Sequence, residues 1–393
     1  MGRPSQPDQL ATLNLNTMNP QISIADPVTT LDQQLQAGSS RANFDMDDAP
    51  ELPWLKPFPP LHDAVAWLDE HVAAPWRAAD AAAIGHQNLH ERLARTAVGA
   101  GVGAIILAVV QLALKQSWPG LNAAAVWIEG ITVLAGVISV GMGLWAKSDR
   151  KWLGCRHRAE RLRMLKFRAL ARVELWRGQD AQWKTWVENE IASLPAPDDL
   201  HHMEDWSNDD KAEPESLAGD NLTAAPDTRR ALAVYYQHKR LLNQAGYFYR
   251  KGTKAASSRA VGMHHHREKL FFVTIGFVLF HFVADFLAGR MEQQLHAEAA
   301  HVWELVSLWS IVLAAVLPVA GIGVRAWSAA FELSRKARSF KAKHQAMKNA
   351  SARLGTGQDE LPVILSHIEH DELFLEQEHR EWLRLLLDAE WFI

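Results

Sequence analysis

Residues Thr96–Leu114 read TAVGAGVGAIILAVVQLAL, a run without a single charged side chain. Roughly 20 apolar residues are what a helix needs to cross the hydrocarbon core of a bilayer, so this stretch predicts a first membrane span. After the polar Lys115-Gln116-Ser117-Trp118-Pro119-Gly120 comes AAAVWIEGITVLAGVISVGMGLWA, Ala123 to Ala146, in which only Glu129 is charged. So short a connection joins the two runs as a tight helical hairpin. A second pair follows: LFFVTIGFVLFHFVADFLAG from Leu270 to Gly289, and VWELVSLWSIVLAAVLPVAGIGV from Val302 to Val324. The expectation is an all-α integral membrane protein with four spans in two hairpins.

Orientation follows from lysine and arginine close to the spans, because basic flanks are retained in the cytoplasm. Arg92 and Arg95 precede the first span, and Lys147, Arg150, Lys151, Arg156, Arg158, Arg161 and Arg163 follow the second, against Lys115 alone between them. The second hairpin repeats the bias: Lys251, Lys254, Arg259, Arg267 and Lys269 before it, Arg325, Arg335, Lys336, Arg338, Lys341 and Lys343 after it, and only Arg290 in its loop. Both loops should therefore face outward, with both termini and the long central segment in the cytoplasm of an inner-membrane protein. Trp118, Trp127, Trp145, Trp152, Trp303, Trp309 and Trp327 lie in or just beyond the spans, several at headgroup level. The rival reading, buried core helices of a large soluble protein, requires four long runs and a consistent charge bias to coincide.

Averages alone mislead: 48% hydrophobic and 22% charged residues would suit a soluble protein, but the apolar residues are clustered. A net charge of −4 gives no general case for nucleic acid as a partner. Cys155 is the sole cysteine, which rules out an intramolecular disulfide or a cysteine-built zinc cluster. The first residues lack a basic start followed by an apolar stretch, so no cleavable signal is expected.

Residues 1–59, rich in Gln, Asn, Ser, Pro and Asp to about Asp48, predict a disordered N-terminal segment. Residues 60–194 form the first hairpin unit, entered by an Ala- and Leu-rich helix broken at Pro75 and left by a basic helix. On the latter Leu162, Leu165, Ala169, Val173 and Trp176 make one stripe, a coiled-coil-like face, with Arg161, Arg163, Arg168 and Arg172 elsewhere. Residues 195–227, acidic and dense in Pro, Asp and Asn, read as a linker; residues 228–393 repeat the order helix, hairpin, basic helix and add a last helix near Ile364 to Glu390.

Gly99 and Gly103, four apart on one helix face, predict close helix packing rather than a nucleotide loop, which would need a preceding strand. His264, His265 and His266 are consecutive and point three ways on a helix, so they read as a titratable interfacial cluster and not as a metal site. Glu129, Asp285 and Glu304, with His281, are the ionisable groups within or at the edges of the spans, where lipid exposure costs several kcal/mol. They are the candidate pore-lining residues: an acidic ring at an outer mouth, formed when hairpins or subunits assemble, set against the plainer reading that they reach water or an indole. No nucleophile and base stand in a catalytic pattern, so neither an enzymatic reaction nor a cofactor is expected.

Three segments resemble a bacterial family, the SMODS and SLOG-associating 2TM effector (SLATT) domains, over most of the chain from about Leu61. AADAAAIGHQNLHERLAR is similar to the helix leading into the family's hairpin, although His86, His90 and Arg92 replace its usual aromatic and arginine spacing. KWLGCRHRAERLRMLKFRAL carries Trp152, Arg158, Ala159, Glu160 and Arg163 where the family tends to carry such residues. YYQHKRLLNQAGYFYRKGTKAA, with Tyr236, Arg240, Gln244, Tyr247 and Tyr249, resembles a second version of the domain. The resemblance implies two tandem 2TM units in a membrane effector of bacterial conflict or anti-phage systems. It further implies a homo-oligomer in the lipid bilayer that forms pores or disrupts the membrane, triggered through a cytoplasmic nucleotide-sensing partner protein. The alternative is a non-conducting scaffold that recruits a soluble partner.

Overall fold

The computed structural model describes residues 26–208, 222–256, 267–293, 297–330, 333–355 and 359–387, all helix and connection with no strand among them. His264, His265 and His266 lie outside the described residues. Among the described residues four helices are long and apolar enough to cross a membrane. Only 11–22% of the residues in their most apolar windows are buried. That combination decides against the soluble-core reading, since Leu112, Ile131, Trp145 and Phe272 would otherwise stand bare in water.

Residues 26–59 are helix and turn packed into the core, which corrects the expectation of disorder for that part of residues 1–59. Helix α1 (Pro27–Gly38) starts on the Asp26 carboxylate, which accepts from the Val28 amide at 3.2 Å, with Pro27 in the first turn where its missing N–H costs nothing. Val28, Leu31 and Leu35 make its buried stripe. Phe44, Met46, Leu55 and Phe58 continue that burial through the short α2 (Leu52–Leu55), so residues 26–58 form a strap fastened to the core.

Helix α3 (Pro59–His71) leads into α4 (Ala73–Ser117). The expected break falls at Val72, and Pro75 is absorbed in the first turn of α4. At 1.5 Å per residue the 45 residues of α4 extend about 67 Å, more than twice the hydrocarbon thickness. One uninterrupted helix therefore carries Trp76 and Ala79 in the extramembrane core and the first apolar run beyond it. It packs along α5 (Pro119–Ala146), which ends at Lys147 in the left-handed conformation (φ 46°). That single residue turns the chain into α6 (Ser148–Ala171).

Helix α6 is the axis of the extramembrane domain and packs against α4 and the C-terminal helix. Leu162, Leu165 and Ala169 are buried as the stripe predicts, but so are Arg163, Lys166 and His157. The helix stops at Arg172, whose backbone is extended, and the indole N–H groups of Trp176 and Trp183 donate to the last-turn carbonyls of Leu170 and Ala169 at 2.9 and 2.8 Å. These indoles belong to α7 (Val173–Trp176) and α8 (Asp180–Ala192).

The expected linker is in part a docked element. Leu194 and Pro195 carbonyls accept from Arg158 at 3.1 and 2.9 Å, and α9 (Leu200–Asn208) buries Met203 and Ser207. A β-carbon on Gly154 of α6 would lie 1.5 Å from the Pro197 carbonyl oxygen. Gly154→Ala is therefore expected to push residues 195–208 off α6 at a cost of about 1–3 kcal/mol. Limited proteolysis checks this: faster cleavage within 195–208 is the expected result, and an unchanged digest contradicts it.

In the second half, α10 (Pro226–Tyr236) passes through a π-helical turn, Gln237–Leu242, into α11 (Asn243–Ala256). Then come the apolar α12 (Arg267–Gln293) and α13 (Ala297–Ala330), packed on each other, α14 (Leu333–Leu354), packed on α11, and α15 (Leu361–Leu387). Residues of the strap, of α6 and of α10, α14 and α15 share one hydrophobic cluster. The two halves thus have a common extramembrane core instead of one each. They also meet among the apolar helices, where α13 packs on α4: a β-carbon on Gly323 would come within 2.7 Å of Val102. Gly103 faces Thr132 on α5 as a packing glycine should, whereas Gly99 faces open space.

Candidate functional site

The densest arrangement of ionisable side chains lies where the strap crosses α6 and the π-helical turn. Lys239, fully buried, directs its ammonium at the carbonyls of Phe44 and Asp47 (both 2.8 Å), Glu51 Oε2 (2.7 Å) and Asp48 Oδ1 (2.9 Å). Lys166 meets Asp48 Oδ2 and the Asp45 carbonyl, each at 2.5 Å, and Tyr235 donates to Asp48 Oδ1 at 2.9 Å. Burial alone would raise the Asp48 carboxyl, but Lys166 and Lys239 hold it below the ordinary aspartate range. Burial, with Asp48 alongside, drives the Tyr235 hydroxyl well above its usual value, so it stays a donor. Arg163 extends the network from Asp45 Oδ2 (2.8 Å) to Glu160 (2.6 Å), which also pairs with Arg156; Arg156 reaches Asp80 on α4 at 3.0 Å. Glu160 is held low because these two guanidinium groups outweigh its burial.

The π-helical turn places the consecutive Lys239 and Arg240 on different partners; such wide turns recur at functional sites. Arg240 forks onto Glu372 of α15, Nε and Nη2 each at 2.7 Å from one carboxylate oxygen, and Tyr236 donates to the same group at 3.0 Å. Although burial works against it, Glu372 keeps the Arg240 guanidinium charged. Arg353 of α14 pairs with Asp371 at 3.0 Å.

A second seam joins α6, α9 and α15. His157 Nδ1 lies 3.1 Å from His379 Nε2, with the rings nearly parallel (9°); Trp206 tilts over His157 at 4.7 Å, and Trp382 stacks on His379 at 5.4 Å. Arg380 lies over the Trp206 ring at 4.1 Å and donates to its carbonyl. Burial, reinforced by the partner imidazole, pushes His157 down to about 2. Burial also takes His379 to about 3, although Glu160 pulls the other way.

Of the residues carried by the family resemblance, Glu160, Arg163, Tyr236 and Arg240 take part in these joints, and Arg158 holds the carbonyls of Leu194 and Pro195. Trp152 packs edge-on to Trp382, and Tyr247 meets Phe340 across α11 and α14. Gln244 is half-buried. Sequence reasoning missed Asp45, Asp48, Glu51, Lys166, Lys239, Glu372, His157 and His379. The one available signal was DMDD at 45–48, an acidic cluster beside buried-type Phe44 and Met46.

The intramembrane candidates have separate settings. Gln111 donates to Glu129 Oε2 at 2.5 Å across α4 and α5; His281 pairs with Ser307 (Nδ1 to Oγ 2.8 Å) across α12 and α13. Glu304 is exposed, 3.6 Å from His301, and Asp285 is exposed. Within one chain these acids have no common partner among the described residues. In the buried ionic joint the charged groups pair with one another.

The fold and its joints define a class: a helical protein with four membrane-crossing candidates, two of which, α4 and α13, are in contact, and one extramembrane domain locked by buried charge. No family model, curated protein or solved structure matches the chain.

Proposed function

We propose that the chain is a multi-pass bacterial membrane effector of the kind its SLATT-like segments suggest, in which a cytoplasmic helical domain sets the arrangement of two transmembrane hairpins. The observation that carries this reading is the continuity of α4, whose N-terminal half is core to the extramembrane domain and whose C-terminal half packs on α5 and α13. A signal that loosens the ionic joint would turn α4 as a rigid lever, because a helix transmits displacement along its axis. Oligomers then open a path near Glu129, Asp285 and Glu304, with a nucleotide-sensing partner protein as the source of the signal.

Purified full-length chain in liposomes loaded with a self-quenched dye tests this. Dye release or discrete conductance, reduced several-fold by Glu129→Gln/Asp285→Asn/Glu304→Gln, is the expected result. Flux unchanged in the triple variant removes those residues from the path. Tight vesicles around correctly inserted protein, with candidate cyclic nucleotides present, replace the effector by a scaffold that recruits a soluble partner.

A further inference from the structure

Helix α9 lies along the seam between α6 and α15, and arginines from both walls hold it. From α6, Arg158 donates to the Leu194 and Pro195 carbonyls that precede α9, and the Arg161 guanidinium lies 5.0 Å from the centre of the Trp206 ring. From α15, Arg380 and Arg384 donate to the carbonyls of Trp206 and Ser207 in the last turn of α9. Arg380 is also paired with Glu376. Arg158, Arg161 and Arg384 have no carboxylate partner among the described residues.

The segment they hold is acidic, yet they do not hold it by its acids. Asp199 accepts from the His202 amide at 3.1 Å, and Glu204 and Asp205 are exposed. Carbonyl oxygens and an indole face leave the guanidinium charge uncompensated, whereas an ionised acceptor in the fork geometry is the stronger partner. Burial lowers the Arg161 guanidinium below its ordinary value, with Glu376 and Glu190 pulling the other way. The apolar hold is also slight: of residues 194–208, Leu194 and Met203 are the buried hydrophobic side chains. A segment anchored so lightly is one that opens locally while the rest stays folded.

We propose that the seam between α6 and α15 is a binding site for an oligophosphate anion, and that residues 194–208 occupy it as a built-in competitor. Uncompensated cations on two walls, Arg158 and Arg161 on one and Arg384 on the other, call for a ligand with more than one anionic group. A carboxylate is planar and meets one fork, while a phosphate group presents oxygens in three directions and can meet guanidinium groups from both walls. Anion binding and α9 docking exclude each other, so the ligand frees residues 194–208. The inference does not depend on whether the chain conducts.

Calorimetric titration of the full-length protein in detergent with inorganic pyrophosphate, at constant ionic strength, reads binding; limited proteolysis within 195–208 reads the cover. The wild-type chain is expected to bind one pyrophosphate and, when saturated, to be cleaved there about tenfold faster. Trp206→Ala keeps the arginines and removes the ring that Arg161 and Arg380 cover; it should tighten binding about tenfold, because the vacated seam is more populated. Arg158→Gln/Arg161→Gln also loosens the cover, but should weaken binding about tenfold or more through the lost charge-assisted bonds. Opposite shifts in two variants that both free α9 separate a binding role for the arginines from a structural one. No binding by either wild type or Trp206→Ala overturns the proposal, as does equal affinity in those two proteins. Cleavage raised as much by potassium chloride of matching ionic strength overturns it by reducing the effect to screening, and equal affinity for citrate overturns the choice of phosphate.

Discussion

Asp48→Asn is expected to destabilise the extramembrane domain by about 3–5 kcal/mol, the cost typical of removing one member of a buried charge cluster. Asparagine preserves shape, so the loss is electrostatic: Lys166 and Lys239, both fully buried, would face each other with only carbonyls, Glu51 and the charge of Asp45 to offset them. Against a typical total of about 5–15 kcal/mol, that is a large fraction of the fold. Thermal and denaturant unfolding in detergent, followed by tryptophan fluorescence, measures it. Asp63→Asn, at an exposed carboxylate, is the control and should move stability by about 0.5 kcal/mol or less. Lys166→Met added to Asp48→Asn should recover part of the loss, because it removes one of the two stranded cations. Equal small effects from Asp48→Asn and Asp63→Asn would mean that the strap is held by Phe44, Met46 and Phe58 alone.

The strap shows where sequence reading stops. The four apolar helices were legible because hydrophobic length is a local property: no partner need be known to see that Thr96–Leu114 is long and apolar enough to cross a membrane. The strap's order is not local. Its apolar residues are sparse, and its acids find their partners far along the chain, Asp48 with Lys166 and then with Lys239. Read alone, NFDMDDAPE has the composition of a solvated segment. For the same reason the basic helix after the second span looked like a helix with one buried stripe, when Arg163 and Lys166 are in fact covered by the strap. The linker misled similarly: Trp206 and Ser207 are fixed by their carbonyls, which accept from Arg380 and Arg384, and a carbonyl has no signature in a sequence. At the pore-lining candidates the single chain adds Gln111 and Ser307, two polar residues inside apolar runs that bond Glu129 and His281.

The joint also bears on how a signal could act. Strap and α6 come from the first half and the π-helical turn from the second, and their ion pairs join the two, so neither pair of apolar helices can shift against the other without altering the contacts of Asp48 or Glu372. Buried ion pairs contribute little net stability compared with apolar packing, but breaking one partner is costly, which makes such a cluster closer to a two-position lock than to a spring.

Acid should open the second seam. His157 and His379 titrate near 6.5 when unfolded and at about 2 and about 3 when folded, so both are neutral in the native state at pH 5 while the unfolded chain binds a proton on each. A depressed pKa contributes stability that is whole above the unfolded value and is lost as pH falls below it. Between pH 7 and pH 5 the loss is about 2 kcal/mol for each histidine, about 4 kcal/mol for the pair. The surroundings sharpen this: Arg161, Arg380, Arg156, Lys343 and His202 oppose any positive charge on the rings, with Glu160 as the counterweight. Glu160 and Asp48, held low, add their own loss only below the ordinary carboxylate range, whereas Asp371, raised by burial, acts in the opposite sense. The melting temperature should therefore fall steadily from pH 6.5 to pH 5, and protease should gain access to residues 200–208 as Trp206 leaves His157. His157→Phe/His379→Phe, which retains the ring stack and removes both titrations, should flatten that slope. A melting temperature constant from pH 7 to pH 5, or a slope unchanged in the double variant, would show that the imidazoles take up protons without opening the seam between α6, α9 and α15.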